Sequence, residues 1–471
     1  MPAPAPLPPE VLAADPPVRR VLIECTRTWF QGGNTGIQRV VRNVVRHSAE
    51  LGRRRGIACE PLVLAGFGAV RPRRELRARP HWVSHLRGYL LGVARAALGL
   101  VALLIPGPVR RWLVRRAPRG RLARLRLRLS SLARSAGQLA AGILSFPMEF
   151  LLGRRIEPGP GDLVLLADAS WSVPGLGGFL ADARARGARV GAIVYDLIPI
   201  EHPAVCAPTT RSFVDWIGRV AEHADLVLTI SEATRRSLAD HLARSEHASR
   251  SPRLGVFRLG TELDLAAPGG AIRTALAAAL DPEHPLYLVV GTVEPRKNHA
   301  LVLDAFEERW ARGSDARLLV AGRRGWESRY VVERMRLHTE HGRRLFFFED
   351  LSDSELACAY DRATAVVCAS FAEGFGLPLV EALSRGVPVF ASDIDAHREV
   401  GGKHVVCFER RSPAALAAAL EAFEASGRLP DGVQPPETFR WPDWWESSAE
   451  LLDEVQRLSR ALPRPPAPPG R

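Results

Sequence analysis

Two carboxylates with seven residues between them frame the segment Glu373-Gly-Phe-Gly-Leu-Pro-Leu-Val-Glu381. The apolar run Ala365–Ala369 before them reads as a buried strand, and Ser370–Gly376 reads as a loop. Pro378 suits the first turn of a helix, and Gly386 stops that helix ahead of a further strand, Val387–Ala391. The free backbone N–H groups of Gly374, Phe375, Gly376 and Leu377 are then expected at a helix N-terminus, which favours an anionic group such as a phosphate. The glycines allow a ligand to approach the backbone closely. Glu373 is expected beside that ligand and Glu381 one turn further along the helix, where carboxylates accept hydrogen bonds from sugar hydroxyls. The simpler alternative makes Glu381 an acidic residue favoured by the helix dipole and Glu373 a solvated loop residue.

A second segment lies upstream, Leu286-Tyr-Leu-Val-Val-Gly-Thr-Val-Glu-Pro-Arg-Lys-Asn-His299. It reads as a strand that ends in Gly291-Thr292 and is followed by Arg296 and Lys297. Two adjacent cations there leave the carboxyl end of a strand, the place where open α/β sheets bind ligands. Arg as a planar fork and Lys as a point charge can neutralise a diphosphate. Lys297 and Lys403 are the two lysines of the whole chain, so a lysine beside Arg296 stands out from the arginine-rich composition.

Together the two segments resemble the donor half of a family 4 glycosyltransferase of the GT-B type. The resemblance implies an α/β protein of two doubly wound, Rossmann-like domains facing across a cleft. It implies retaining, metal-independent transfer of a hexose from a nucleotide-diphosphate sugar, without a cofactor. Carried onto this chain, it puts Gly291, Thr292, Arg296, Lys297, Glu373, Gly374, Phe375, Gly376, Leu377 and Glu381 around the donor. Arg296, Lys297 and the helix N-terminus would stabilise the departing diphosphate, Glu381 would hold the ribose and Glu373 the donor sugar. With Asp196, introduced below, Arg296, Lys297 and Glu373 form the expected catalytic set. A GT-B sugar-nucleotide epimerase, or a non-catalytic membrane-attached scaffold in polysaccharide assembly, are the alternatives.

Composition limits what else the chain can be. At 471 residues, 46% hydrophobic and 24% charged, it has the size and balance of a globular protein of two domains. Six cysteines form no Cys-x-x-Cys pair and no metal-ligand spacing, and read as reduced thiols of a cytoplasmic protein. The net charge of +13 is concentrated: Arg71–Arg155 holds nineteen arginines and two acidic residues, leaving the remainder slightly acidic. That distribution, without spaced aromatics, argues against nucleic acid as a partner.

Along the chain strands and helices alternate, as in doubly wound parallel sheets. Val21–Cys25 reads as a first strand, and Ile37–Leu51 as a helix with Ile37, Val40, Val41, Val44 and Val45 on one face. Arg39, Arg42 and Arg46 fall away from that face. The loop between them contains Gly32, Gly33, Thr35 and Gly36, which by resemblance faces donor and acceptor. Further strands are expected at Asp162–Ala167, Arg189–Tyr195, Asp225–Thr229, Arg317–Ala321 and Leu345–Phe348, and helices near Leu176–Gly187, Thr209–His223 and Glu232–Ser245. Ser231 reads as an N-cap. The segment Val194-Tyr-Asp-Leu-Ile-Pro-Ile-Glu-His-Pro203 ends a strand at Asp196 and resembles an Asp-Leu-Ile-Pro stretch of mannosyltransferases that build bacterial surface polysaccharides. That resemblance favours GDP-mannose as donor and a glycan, in many cases lipid-linked, as acceptor. Related enzymes often carry His where this chain has Tyr195, which leaves Tyr195, Asp196 and His202 all as candidates to meet the transferred sugar.

The expected organisation is a disordered 1–17 without signal-peptide character, a first domain 18–260, a linker 261–270, a donor domain 271–435, a helix 436–462 crossing back, and a disordered tail 463–471. Residues 71–155 form an insertion in the first domain. Its run Tyr89–Ile105 would reach about 25 Å as a helix, short of the ~30 Å hydrocarbon thickness. With Arg121, Arg124, Arg126 and Arg128 interleaved among leucines, the segment is expected to lie on an anionic membrane surface, at the inner face of the cell membrane. A helical hairpin packed on the protein is the other reading.

Overall fold

The computed structural model describes residues 18–31, 36–65, 68–72, 76, 154–207, 210–245, 251–261 and 272–462. Within them two sheets form. The first takes β1 (Arg20–Glu24), β2 (Ala58–Ala65), β3 (Gly68–Arg71), β4 (Arg154–Ile156), β5 (Asp162–Leu166), β6 (Arg189–Val194), β7 (Leu226–Thr229) and β8 (Arg253–Val256), in the order β4-β3-β2-β1-β5-β6-β7-β8. The second takes β9 (Leu286–Val290), β10 (Arg317–Ala321), β11 (Leu345–Phe348), β12 (Ala365–Cys368), β13 (Val389–Ser392) and β14 (Val405–Phe408), in the order β11-β10-β9-β12-β13-β14. Pairing is parallel in both, except where β3 joins β2 and β4.

The central strands are apolar on both faces because helices cover both. Every residue of β5 and β6 is buried, the continuous hydrophobic pattern expected of parallel strands. Helix Gly36–Arg54 lays Val40, Val41, Val44 and Leu51 into the same core. The strand order reverses at β1/β5 in one sheet and at β9/β12 in the other, which opens a crevice at the carboxyl ends of each.

The antiparallel β3–β4 pair was not expected from sequence. Arg71 pairs with Arg154 and Ala69 with Ile156, so the two ends of the arginine-rich insertion leave and rejoin the sheet side by side. The core closes across the base of the insertion, while its interior, and with it the membrane expectation, lies outside the described residues. Most of the expected linker, the loop residues Gly32, Gly33 and Thr35, and both termini do so as well. β13 begins at Val389 and not at Val387, since Pro388 has no N–H for the ladder. Its carbonyl instead accepts from the Val366 N–H at 2.9 Å.

The last helix runs from Trp444 to Arg460, starting later than its aromatic lead suggested. Pro442 blocks an earlier start, and Asp443 and Glu446 cap each other's backbone N–H in a capping box. The helix packs on helix Gly36–Arg54 and on β7 and β8, against the first sheet. Arg189 donates to the Ser459 carbonyl at 2.8 Å and Ser447 to the Arg258 carbonyl at 2.6 Å.

Beneath the first crevice lie two fully buried carboxyls, Glu24 at the end of β1 and Asp168 after β5. Glu24 accepts from the Thr26 N–H at 2.7 Å and the Ser170 hydroxyl at 2.5 Å, and Asp168 from the Thr28 and Ala169 N–H groups at 2.5 and 2.8 Å. Burial, reinforced by the Asp168 charge, pushes the Glu24 carboxyl up to about 7 despite these bonds. Its folded pKa therefore exceeds its unfolded one, so the folded state binds the extra proton. The stabilisation is complete below about pH 4.3 and is lost as pH rises toward 7. Glu24→Gln, neutral at every pH, is expected to flatten the fall in melting temperature between about pH 5 and 7. An unchanged slope in the variant would place the proton elsewhere.

Candidate active site

A cavity of about 510 Å³ lies between the two sheets. The second sheet supplies Gly291 and Thr292 at the end of β9, Arg296 and Lys297 in the turn that follows, and Glu373 to Pro378 with Glu381 after β12. From the first sheet come Gly36, Ile37, Arg39 and Val40 of one helix, together with Tyr195 and Asp196 after β6.

Arg296 and Lys297 sit in a single 3₁₀ turn, Pro295–Lys297, whose conformation Pro295 favours and Asn298 ends with φ 57°. The Phe371 N–H donates to the Arg296 carbonyl at 2.7 Å, tying this turn to the loop that carries Glu373. Both cations converge on that carboxylate: Arg296 Nη1 lies 2.6 Å from Glu373 Oε2, and Lys297 Nζ and the Ser370 hydroxyl donate to Oε1. Arg296 Nη2 also donates to Glu294 Oε1 at 2.8 Å. Burial pushes the Glu373 carboxyl up, but the charges of Arg296 and Lys297 outweigh it and hold the group well below the usual carboxylate range. Burial opposes charge on Arg296 too, and Glu373, Glu294 and Asp196 more than offset it. The result is a fixed, ionised cluster at the strand end, lining the cavity.

Two helix N-termini meet at the cavity. Helix Leu377–Ser384 begins there after Gly376, whose φ of 107° is open to glycine and costly for other residues. Helix Gly36–Arg54 begins opposite. Neither carries an acidic residue in its first turn, so both positive ends face the cavity without compensation from their own sequence. Glu381 is 3% exposed, its Oε1 accepting from Arg39 at 2.6 Å and its Oε2 from the Tyr360 hydroxyl at 2.7 Å. Helical spacing turns Arg39 away from the helix's packed face. That face is indeed covered, and Arg39 instead crosses to the other sheet's helix. A basic residue at helical spacing from a glycine loop gave no signal of a partner more than three hundred positions away.

Residues 276–433 match the model for glycosyl transferases group 1. The chain carries a group 1 glycosyl transferase domain. It is 32% identical over 329 residues to the serotype-specific mannosyltransferase WbdA of Escherichia coli, a match covering 67% of this chain and 40% of that protein. An O-antigen chain mannosyltransferase B of Escherichia coli is 37% identical over 119 residues, 24% of this chain and 30% of that protein. The chain thus spans about two fifths of the length of the first of these curated relatives. Among solved structures, sucrose-phosphate synthase from Thermosynechococcus elongatus superposes with a TM-score of 0.51 at 15% identity, covering 94% of each chain. That likeness establishes the fold, GT-B.

At the cavity the three first-sheet candidates part company. The Tyr195 hydroxyl is already engaged, donating to the Ala167 carbonyl at 2.6 Å inside the core. His202 packs edge-on against Phe371 with ring centres 5.3 Å apart, and does not line the cavity. Asp196 does line it, and burial pushes its carboxyl up while Arg296 pulls it back. Ser231 caps the helix Glu232–Ala243 as expected, accepting from Thr234 N–H at 3.1 Å. It also donates to the Gly374 carbonyl at 2.7 Å. The same helix end receives Glu399 from the other half, whose carboxylate accepts from the Glu232 and Ala233 N–H groups at 2.6 and 2.7 Å. Among the described residues no group of three or more His, Cys, Asp or Glu is placed to hold a metal.

Proposed function

We propose that the protein transfers a hexose, with mannose favoured, from a nucleotide-diphosphate sugar to a growing glycan, with retention and without a metal ion. The observation that carries this reading is the convergence on one cavity of Arg296, Lys297 and two helix N-termini with no acidic residue in their first turns. Together they are complementary to a diphosphate, and in a cleft poor in water such fixed donors stabilise charge on a leaving group. The acceptor hydroxyl oxygen bonds to the anomeric carbon as the bond from that carbon to the diphosphate oxygen breaks. The electron pair leaves with the diphosphate, and the hydroxyl proton passes to it. Glu373 holds both cations in position and borders the sugar, and Glu381 faces the ribose. Mannose, and GDP-mannose as donor, are favoured by the names of the two Escherichia coli relatives and by the Asp196-Leu-Ile-Pro stretch. A lipid-linked acceptor at the inner membrane face fits the arginine-rich residues 71–155.

Calorimetric titration with GDP-mannose, UDP-glucose and UDP-N-acetylglucosamine tests the donor. Tight binding of GDP-mannose is expected, with turnover unchanged in excess EDTA. Loss of turnover in EDTA and its return with Mg²⁺ would remove the metal-independent mechanism. Failure of all three nucleotide sugars to bind would remove the donor site itself.

A further inference from the structure

A second cavity, of about 270 Å³, opens beside the first and shares Ile37, Tyr195, Asp196 and Arg296 with it. A molecule within it therefore borders the point at which a transferred sugar would arrive. One wall is aromatic. Trp171, Phe213 and Trp216 pack mutually, with ring centres 5.4, 5.7 and 5.6 Å apart. Phe213 and Trp216 are buried and Trp171 is half-exposed at the cavity. The Trp216 indole nitrogen is buried and finds no acceptor among the described residues, although buried indole N–H groups usually have one. The polar wall consists of two carboxylates, Asp196 and Glu294, and Arg296, which already pairs with Glu294 and Glu373.

We propose that this cavity is the acceptor subsite and takes the neutral, non-reducing terminal sugar of a glycan, with Trp171 as its stacking platform. The proposal rests on the donor reading above and specifies what the transferred hexose is added to. Aromatic faces take the C–H face of a pyranose, and carboxylates accept from its hydroxyls. The volume suits a single ring, so the rest of the glycan would trail outward. Two carboxylates against one engaged guanidinium disfavour a phosphorylated terminus, so the subsite selects an uncharged chain end over a diphosphate head.

The test measures extension of mannobiose, and of mannobiose carrying a terminal 6-phosphate, by the full chain with a saturating nucleotide sugar. Trp171→Ala is expected to raise the KM for mannobiose about tenfold, with donor Kd by calorimetry unchanged. Trp171→Phe is expected to restore most of the affinity, and the phosphorylated probe to be refused by the parent. A parent that binds no nucleotide sugar overturns the donor reading and this inference with it. A parent that binds and turns over donor overturns the inference alone if Trp171→Ala keeps the parental KM, if mannobiose is not extended, or if the phosphorylated probe serves equally well.

Discussion

Arg296→Ala and Lys297→Ala are each expected to lower kcat by about 10²–10³-fold, the usual loss when one fixed electrostatic donor to a developing charge is removed. The effect should be on kcat rather than on folding, because both side chains sit in a surface-connected turn whose backbone is held by Pro295, Asn298 and the Phe371 N–H bond. Each cation has two tasks, facing the diphosphate and neutralising Glu373. Without Arg296, Glu373 keeps Lys297 and Ser370, but Glu294 loses the guanidinium that lies 2.8 Å away. Glu294 then stands as an unpaired negative charge beside the cluster, so Arg296→Ala should be the more damaging of the two. Nucleoside diphosphate release at saturating donor, beside an unchanged circular dichroism spectrum, reads the effect. Parental rates in both variants would mean that this cluster does not face the leaving group.

How much of this was legible in the chain depends on how far apart the partners stand. The loop from Ser370 to Gly376 and the helix after it were readable, because a local apolar run, a glycine and Pro378 fix them within a dozen residues. Arg296 and Lys297 were readable for the same reason, since they follow a strand directly. The Arg39–Glu381 pair was not: it joins residues 342 positions apart, and helical periodicity placed Arg39 only by what it does not pack against. Tyr195 shows the reverse failure. Its place at the end of the strand is legible to within one residue, but the bond of its hydroxyl to the Ala167 carbonyl depends on a neighbouring strand. Ser231 looked complete as a cap, and its second bond to Gly374 appears only when the two sheets are brought together. The strands β3 and β4 are four and three residues long and frame an insertion, too short for alternation to reveal.

Gly374→Ala is expected to reduce kcat by about 10²-fold or more while leaving donor affinity close to parental, the size of loss that a displacement near 1 Å can cause. A β-carbon at this position would stand 2.0 Å from the Tyr195 carbonyl oxygen and 3.0 Å from Asp196 Cβ. The first contact is with backbone, so no rotamer change relieves it and the two halves must separate locally. Gly374 is also where they are bonded, its carbonyl accepting from the Ser231 and Thr234 hydroxyls at 2.7 and 3.3 Å. Donor-facing groups on the second sheet, Arg296, Lys297 and Glu373, lie on one side of the clash and keep their mutual bonds. Asp196 lies on the other side and moves away from them. Binding and catalysis are therefore expected to separate in this variant, with calorimetry reporting the parental donor Kd and turnover falling. Ser231→Ala is the control, since it removes a bond across the same contact without adding a clash, and only a modest fall is expected from it. Parental turnover by Gly374→Ala would mean that the close approach of Asp196 to the cation cluster is not the arrangement in which transfer occurs.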